Sequence, residues 1–351
     1  MASSLCRFMA WLAVALCCQT GTARAQVPYK IVTASERGTY IQIGRDLAKF
    51  VAPDAGIELS ALPSAGSAEN VQRLRYEPGV KFALVQSDVY QAFLDQGQSG
   101  NASATQLIRP LRLIMPLYNE EIYFIARADS KLNFVHEIKD AKINIGPLLS
   151  GTAMSATTLY RHMFGAPSPE ANTSFLSNEE ALVKLTGDKS LDVVVVVAGQ
   201  PAKLLADMKP EARKLIKLLK LDPGNPASRA ALNTYFPATV RAASYPNLLS
   251  EDIPGIAVKA FLVTYDYNLG STVTQLRRFA ASLCNNFEKL QTLGHPKWRE
   301  VELALPELSR GWSYYQPMWR EMKNCIAQRP KAKPVHVCTR EELILGLCKQ
   351  P

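Results

Sequence analysis

Five short segments rich in Gly, Ser, Thr and Gln stand where an apolar, β-like run hands over to an amphipathic one. They are Gly38-Thr39-Tyr40, Ser64-Ala65-Gly66-Ser67-Ala68-Glu69-Asn70, Gln86-Ser87-Asp88, Ser150-Gly151-Thr152 and Gly199-Gln200-Pro201. The chemistry open to such segments is anion capture. A helix N-terminus exposes unpaired N–H groups and the positive end of its dipole. Glycine lets a ligand approach the backbone, while Ser and Thr add hydroxyl donors. Each segment alone reads as an ordinary N-cap. Together they predict an anion-binding set of hydrogen-bond donors, fit for carboxylate or phosphate: Gly38, Thr39, Tyr40, Ser64, Ser67, Asn70 and Gln86 in one group, with Ser150, Gly151, Thr152 and Gln200 in a second.

Rival chemistries fail on residue type. The run Gly146-Pro147-Leu148-Leu149-Ser150-Gly151-Thr152 imitates a phosphate-binding loop but has Thr152 where lysine is required. No dinucleotide fingerprint, nucleophile elbow or H-E-x-x-H zinc motif occurs. The histidines, His136, His162, His295 and His336, are scattered and read as packing or surface residues. Adjacent Glu120 and Glu121 on an extended segment face opposite ways, so a hinge contact suits them better than an acid–base pair. Trp298, Trp312, Tyr314, Tyr315 and Trp319 read as helix packing, and the basic run 209–220 as a solvated helix face. The expectation is a binding protein rather than an enzyme, with no cofactor, no metal and no nucleic-acid partner.

The elements that must position these residues alternate between strand and helix. Runs 30–33, 57–62, 82–86, 111–117, 122–127, 143–146, 191–198 and 257–265 read as strands. Amphipathic stretches such as 40–51 and 153–164 lie between them. That alternation predicts an α/β chain with parallel sheets and helices on both faces. Two places look like crossings between lobes. At 111–127, two strand-like runs are joined by Tyr118-Asn119-Glu120-Glu121, and 257–265 is a long β-run after a Pro-rich loop. The expected division is 26–119 with 257–327 as lobe 1, 120–256 as lobe 2, and 328–351 as a cysteine-bearing tail. A diffusing receptor of this kind is expected to be a monomer.

The first 25 residues have Arg7, an apolar run over 8–18 and an Ala23-Arg24-Ala25 cleavage site. They read as a signal peptide cut after Ala25, which places the protein in the periplasm. Removing those 25 residues from 351 leaves 326, more than one core usually supports. The loss of Arg7 and Arg24 lowers the net charge from +9 to +7, mildly favouring an anionic partner. Cys284, Cys325, Cys338 and Cys348 remain, an even number suited to disulfides in an oxidising compartment. Three pairings are possible. Cys284–Cys325 with Cys338–Cys348 is favoured, because the second bridge closes a small terminal loop.

The ordered segments resemble the TAXI family, the TRAP-associated extracytoplasmic immunogenic receptors of tripartite transporters. The likeness starts at Thr33-x-x-x-x-Gly38-Thr39-Tyr40-x-x-Ile43-Gly44 and Ser64-Ala65-Gly66-Ser67-x-x-Asn70. It continues through Phe82 to Asp88, Leu117-Tyr118-x-Glu120, Gly146-Pro147-x-x-Ser150-Gly151-Thr152 and Ala198-Gly199-Gln200-Pro201. It covers about residues 30 to 265. The resemblance implies a type II periplasmic-binding-protein fold, two α/β lobes with a ligand cleft and two crossing segments. It also implies a small anionic solute, a carboxylate such as glutamate or a dicarboxylate, delivered to a TRAP-type membrane permease. A ligand-sensing module for a signalling partner is the alternative. The chain departs from the family at Ser35-Glu36-Arg37, where paired glycines are usual, and at Leu149, where glycine is usual. Arg37 could meet a ligand carboxylate, Glu36 could repel one, and Leu149 narrows the approach.

Overall fold

Strands form where alternate side chains can be buried on two faces at once. In β3 (Val80–Gln86), Phe82 and Leu84 enter one core while Ala83 and Val85 enter the core on the opposite face. In β7 (Val193–Ala198), Val193 and Val195 go one way, Val194 and Val196 the other. Near-continuous apolar runs of this kind are the signature of sheets covered by helices on both sides. The computed structural model describes residues 26–36, 38–308 and 311–329. The expected signal peptide 1–25, Arg37 and the expected Cys338–Cys348 pairing fall outside them.

The first half runs β1 (Val27–Val32), α1 (Thr39–Phe50), β2 (Ile57–Leu62), α2 (Ser67–Tyr76), β3, α3 (Val89–Gln98) and α4 (Ala102–Ile108). β4 (Leu111–Arg127) then leads to β5 (Ile143–Asn144), α5 (Gly151–Phe164), β6 (Thr173–Ser174), α6 (Asn178–Thr186), β7 and α7 (Lys203–Ala206). β8 (Ile216–Leu218), α8 (Pro226–Ala231), β9 (Phe236–Val240) and β10 (Ile253–Tyr265) follow. The described part ends with α9 (Gly270–Asn285), α10 (Phe287–Leu293) and α11 (Gln316–Gln328).

One hydrogen-bonded path, β2-β1-β3-β10-β4-β7-β5-β6, joins the strands, with β8 beside β4 and β9 beside β10. Its two ends are built alike. At one end β1 lies parallel to β2 and β3, and β10 closes on β3 antiparallel. At the other β5 lies parallel to β6 and β7, and β4 closes on β7 antiparallel. The apolar clusters divide the same way. Two hold residues 29–118 and 260–322 with Met154 as the exception, and two hold residues 122–258. The fold is α/β with two lobes, and β4 and β10 are the segments that run through both.

Three sequence expectations change. Positions 111–127 are one continuous strand rather than two runs with a joint, because Tyr118, Glu120 and Glu121 are all buried by distant partners. The basic run 209–220 is no helix face: a short 3₁₀ turn, Pro210–Lys214, precedes β8, whose Ile216 and Leu218 enter a core. β6, β8 and β9 were not foreseen. Helix α11 is tied to α9 by a Cys284–Cys325 disulfide, the expected pairing. Trp298, Trp312 and Tyr315 are buried as packing residues.

Candidate functional site

α2 and α5 begin against each other from opposite lobes. Gly66, the N-cap of α2, has φ +135°, which an L side chain rarely adopts. It lies so near α5 that a Cβ would stand 2.8 Å from the Gly151 nitrogen. Gly151 in turn has no room for a side chain, since its Cβ would fall 2.2 Å from Gln86 Oε1. Gln86 ends β3 and is buried. Its Oε1 accepts from Ser67 Oγ of the first lobe and Ser155 Oγ of the second, each at 3.3 Å. The Gln86 N–H donates to Ser67 Oγ at 3.0 Å. Ser150 caps α5, its Oγ accepting from the Ala153 N–H at 3.0 Å.

Of the residues singled out from sequence, Ser67, Gln86, Ser150 and Gly151 therefore meet at this junction. Ser64 and Asn70 lie behind it as scaffold. Asn70 Nδ2 donates to the Thr33 and Leu84 carbonyls at 2.5 and 2.7 Å, and its Oδ1 accepts from Ser64 Oγ at 2.6 Å. That fixes the ends of β1 and β3 together. Thr152 Oγ1 accepts from the Val197 N–H at 3.3 Å, within its own lobe. Gln200, before a cis Pro201, is clamped toward β9: it donates to the Thr239 carbonyl at 3.1 Å and accepts from the Arg241 N–H at 2.6 Å. Gly38 is the uncapped start of α1, with Thr39 half-buried beside it. Tyr40 turns inward, and its hydroxyl donates to Glu120 Oε2 at 2.7 Å. Glu36 is exposed and paired with Arg45 at 2.6 Å, while Leu149 is exposed at φ +63°.

The seam between the lobes also buries charge. Asp88 of the first lobe accepts from the Tyr235 hydroxyl of the second at 2.8 Å, and its Oδ1 has no partner among the described residues. Burial pushes Asp88 up to about 6, against the opposing hydroxyls of Ser155 and Tyr235. Burial likewise raises Glu120 to about 7, with the Tyr40 hydroxyl and Lys297 pulling the other way. Glu121 is raised by burial and opposed first by Lys297. Lys297 is itself buried, pairing with Glu300 Oε2 at 2.7 Å and lying 5.6 Å from the Tyr118 ring. It presses on the second lobe at Gly199, where a Cβ would stand 2.7 Å from Lys297 Cε. Ser155, Tyr235 and Lys297 were missed from sequence. Ser155 is a mid-helix serine, and the other two lie in segments with no motif.

The family model for the NMT1-like family matches residues 31–305. The chain belongs to the NMT1-like family. Solved structures similar to this NMT1-like protein include a periplasmic binding protein, BugD, at 13% identity and a TM-score of 0.45. That match covers 86% of this chain and 94% of BugD. A TctC solute binding protein from Polaromonas matches at 16% identity and a TM-score of 0.41, over 86% and 98% of the two chains. ArtJ, the arginine-, lysine-, histidine-binding protein of Geobacillus stearothermophilus, matches at 12% and 0.44, over 82% and 99%. No helix among the described residues is long and apolar enough to cross a membrane.

Proposed function

We propose that this NMT1-like protein is an extracytoplasmic receptor whose lobes close on a small anionic solute, a carboxylate such as glutamate or a dicarboxylate. It is exported by cleavage after Ala25, acts as a monomer, delivers its solute to a TRAP-type permease and performs no reaction. One observation carries the reading. The amide oxygen of Gln86 is held by hydroxyls from both lobes, beside two opposed helix N-termini. A carboxylate oxygen of a ligand would use the same donors: Ser67 Oγ, Ser155 Oγ and the first N–H groups of α2 and α5. Swinging the lobes apart would free them together, so ligand and closure are coupled.

The test is thermal unfolding of residues 26–351, cleared of co-purified solute, against carboxylates, amino acids and neutral sugars. A ligand at about 100 times its Kd stabilises by roughly 2.7 kcal/mol, a plainly visible rise in Tm. Rises confined to carboxylates, and lost in a Ser67→Ala/Ser155→Ala double variant, are the expected result. A rise with sugars alone would refute the anion reading.

A further inference from the structure

The N-cap of α3 is an aspartate that caps nothing. Asp88 is buried, yet its side chain makes no hydrogen bond to the start of its own helix, where an aspartate in that position ordinarily does. It reaches across the seam instead. Its Oδ2 lies 2.8 Å from the Tyr235 hydroxyl, and the same hydroxyl lies 3.1 Å from the Ser155 carbonyl. Tyr235 and Ser155 both belong to the second lobe. Among the described residues Asp88 Oδ1 has no hydrogen-bond partner, and no Lys, Arg or His pairs with the carboxyl.

This contact is one proton short for an ionised acid. Tyr235 has a single hydroxyl proton and faces two acceptors, so beside a carboxylate it can serve only one of them. A neutral Asp88 donates to the Tyr235 oxygen, Tyr235 donates to the Ser155 carbonyl, and the chain across the seam is complete. An ionised Asp88 is a buried charge without a countercharge, which is costly. The other titratable groups around the contact do not supply one. His162 of α5 lies edge-on to the Tyr235 ring at 6.5 Å, and Asp95 acts on Tyr235 from along α3. Glu120 and Tyr40 are coupled to Asp88 by charge alone. Lys259, bonded to Ser87 through its backbone, turns its amine over the Phe236 ring at 5.7 Å.

We propose that closing the lobes takes up one proton from solvent at Asp88, and that parting them releases it. The proposal goes beyond solute capture but rests on the reading of two lobes that part and close. With the lobes apart, water replaces Tyr235 and Ser155, and the carboxyl returns from about 6 to the ordinary 3.8. The proton's contribution to closure is therefore full below about pH 4 and is lost as pH rises through 6. Solute is held harder in acid than at neutrality.

Small-angle scattering of solute-free residues 26–351 from pH 4.5 to 7.5 tests this without a ligand. The radius of gyration should rise as pH passes through 6. Asp88→Asn, which needs no proton, should stay compact at every pH, while Glu120→Gln should keep the parent's dependence. Tyr235→Phe removes a donor that favours the ionised acid, so its transition should move to higher pH. In calorimetric titration, glutamate should bind about tenfold more weakly at pH 7 than at pH 5. Buffers of different ionisation heat should show proton uptake on binding near pH 5, and Asp88→Asn should lose both effects. A radius independent of pH in the parent overturns the proposal, as does a dependence that survives in Asp88→Asn or vanishes only in Glu120→Gln. Failure of glutamate and dicarboxylates to bind would count against the carboxylate reading, and the scattering would still decide the proton.

Discussion

The N-termini of α1 and α5 look alike in sequence, each a Gly beside a Thr at the end of a β-like run, yet the fold uses them differently. At α5 the glycine is pressed against the other lobe, touching Gly66 and the Gln86 side chain. At α1 the glycine is in ordinary extended geometry, with φ −82° and ψ 169°. The nearest atoms to a Cβ there would be those of Ser35, at 3.3 Å. The residue that matters at α1 is Tyr40, which turns inward to hold Glu120 on the crossing strand β4. A glycine at a helix start thus signals close approach only where another element arrives to face it.

Substitutions can break or sharpen that contrast. The largest effect is expected at Gly66→Ala, which combines a strained φ with a Cβ 2.8 Å from backbone. A loss of about 3 kcal/mol or more in denaturant unfolding is expected, and a neutral result would mean the lobes do not meet there. Gly151→Ala comes next. Its Cβ would displace the buried Gln86 amide, so a loss of about 1–3 kcal/mol should accompany a wider scattering envelope as the lobes are wedged apart.

Asp88→Asn tests the charge in the same seam. The folded pKa, raised from 3.8 to about 6, means the folded protein holds its proton more tightly than the unfolded chain. Stability from this group is therefore full below pH 4 and is lost as pH rises through 6. The amide can still accept from Tyr235 and needs no proton. The variant should flatten the pH 4–6 part of the stability profile and exceed the parent at pH 8 by on the order of 2 kcal/mol. An unaltered slope would mean Asp88 is hydrated. Smallest of all should be Gly38→Ala, within about 1 kcal/mol in unfolding; a larger loss would show that the α1 end faces a tight neighbour after all.

What the sequence made legible follows from what is local. β1, β2, β3 and β7 were readable because burial is written into consecutive apolar residues. β4 was read as two runs because Tyr118-Asn119-Glu120-Glu121 is polar. Its burial depends on Tyr40 and Lys297, which lie 80 residues before Glu120 and far after it in the chain. β6 and β8, at two and three residues, are too short to show a period. Strand ends and helix starts carry composition signals, so Ser67, Gln86 and Gly151 stand out in the sequence. Ser155 carries none, and it became visible only once α5 was laid across Gln86.

The paired crossing strands set the mechanics of any opening. β4 and β10 are hydrogen-bonded to each other through both lobes, so sliding one past the other would break ladder bonds that a change of twist would keep. Their register slips between Lys259 and Phe261, opposite Pro116 to Asn119, and again between Leu262 and Val263. The first slip falls where the apolar clusters of one lobe give way to those of the other. Proline inside a central strand is tolerated at such an irregularity, where a ladder bond is already missing. The molecule thus carries a torsion bar with its compliant point at the lobe boundary, and its two halves would swing by winding and unwinding that ribbon rather than by shearing past each other.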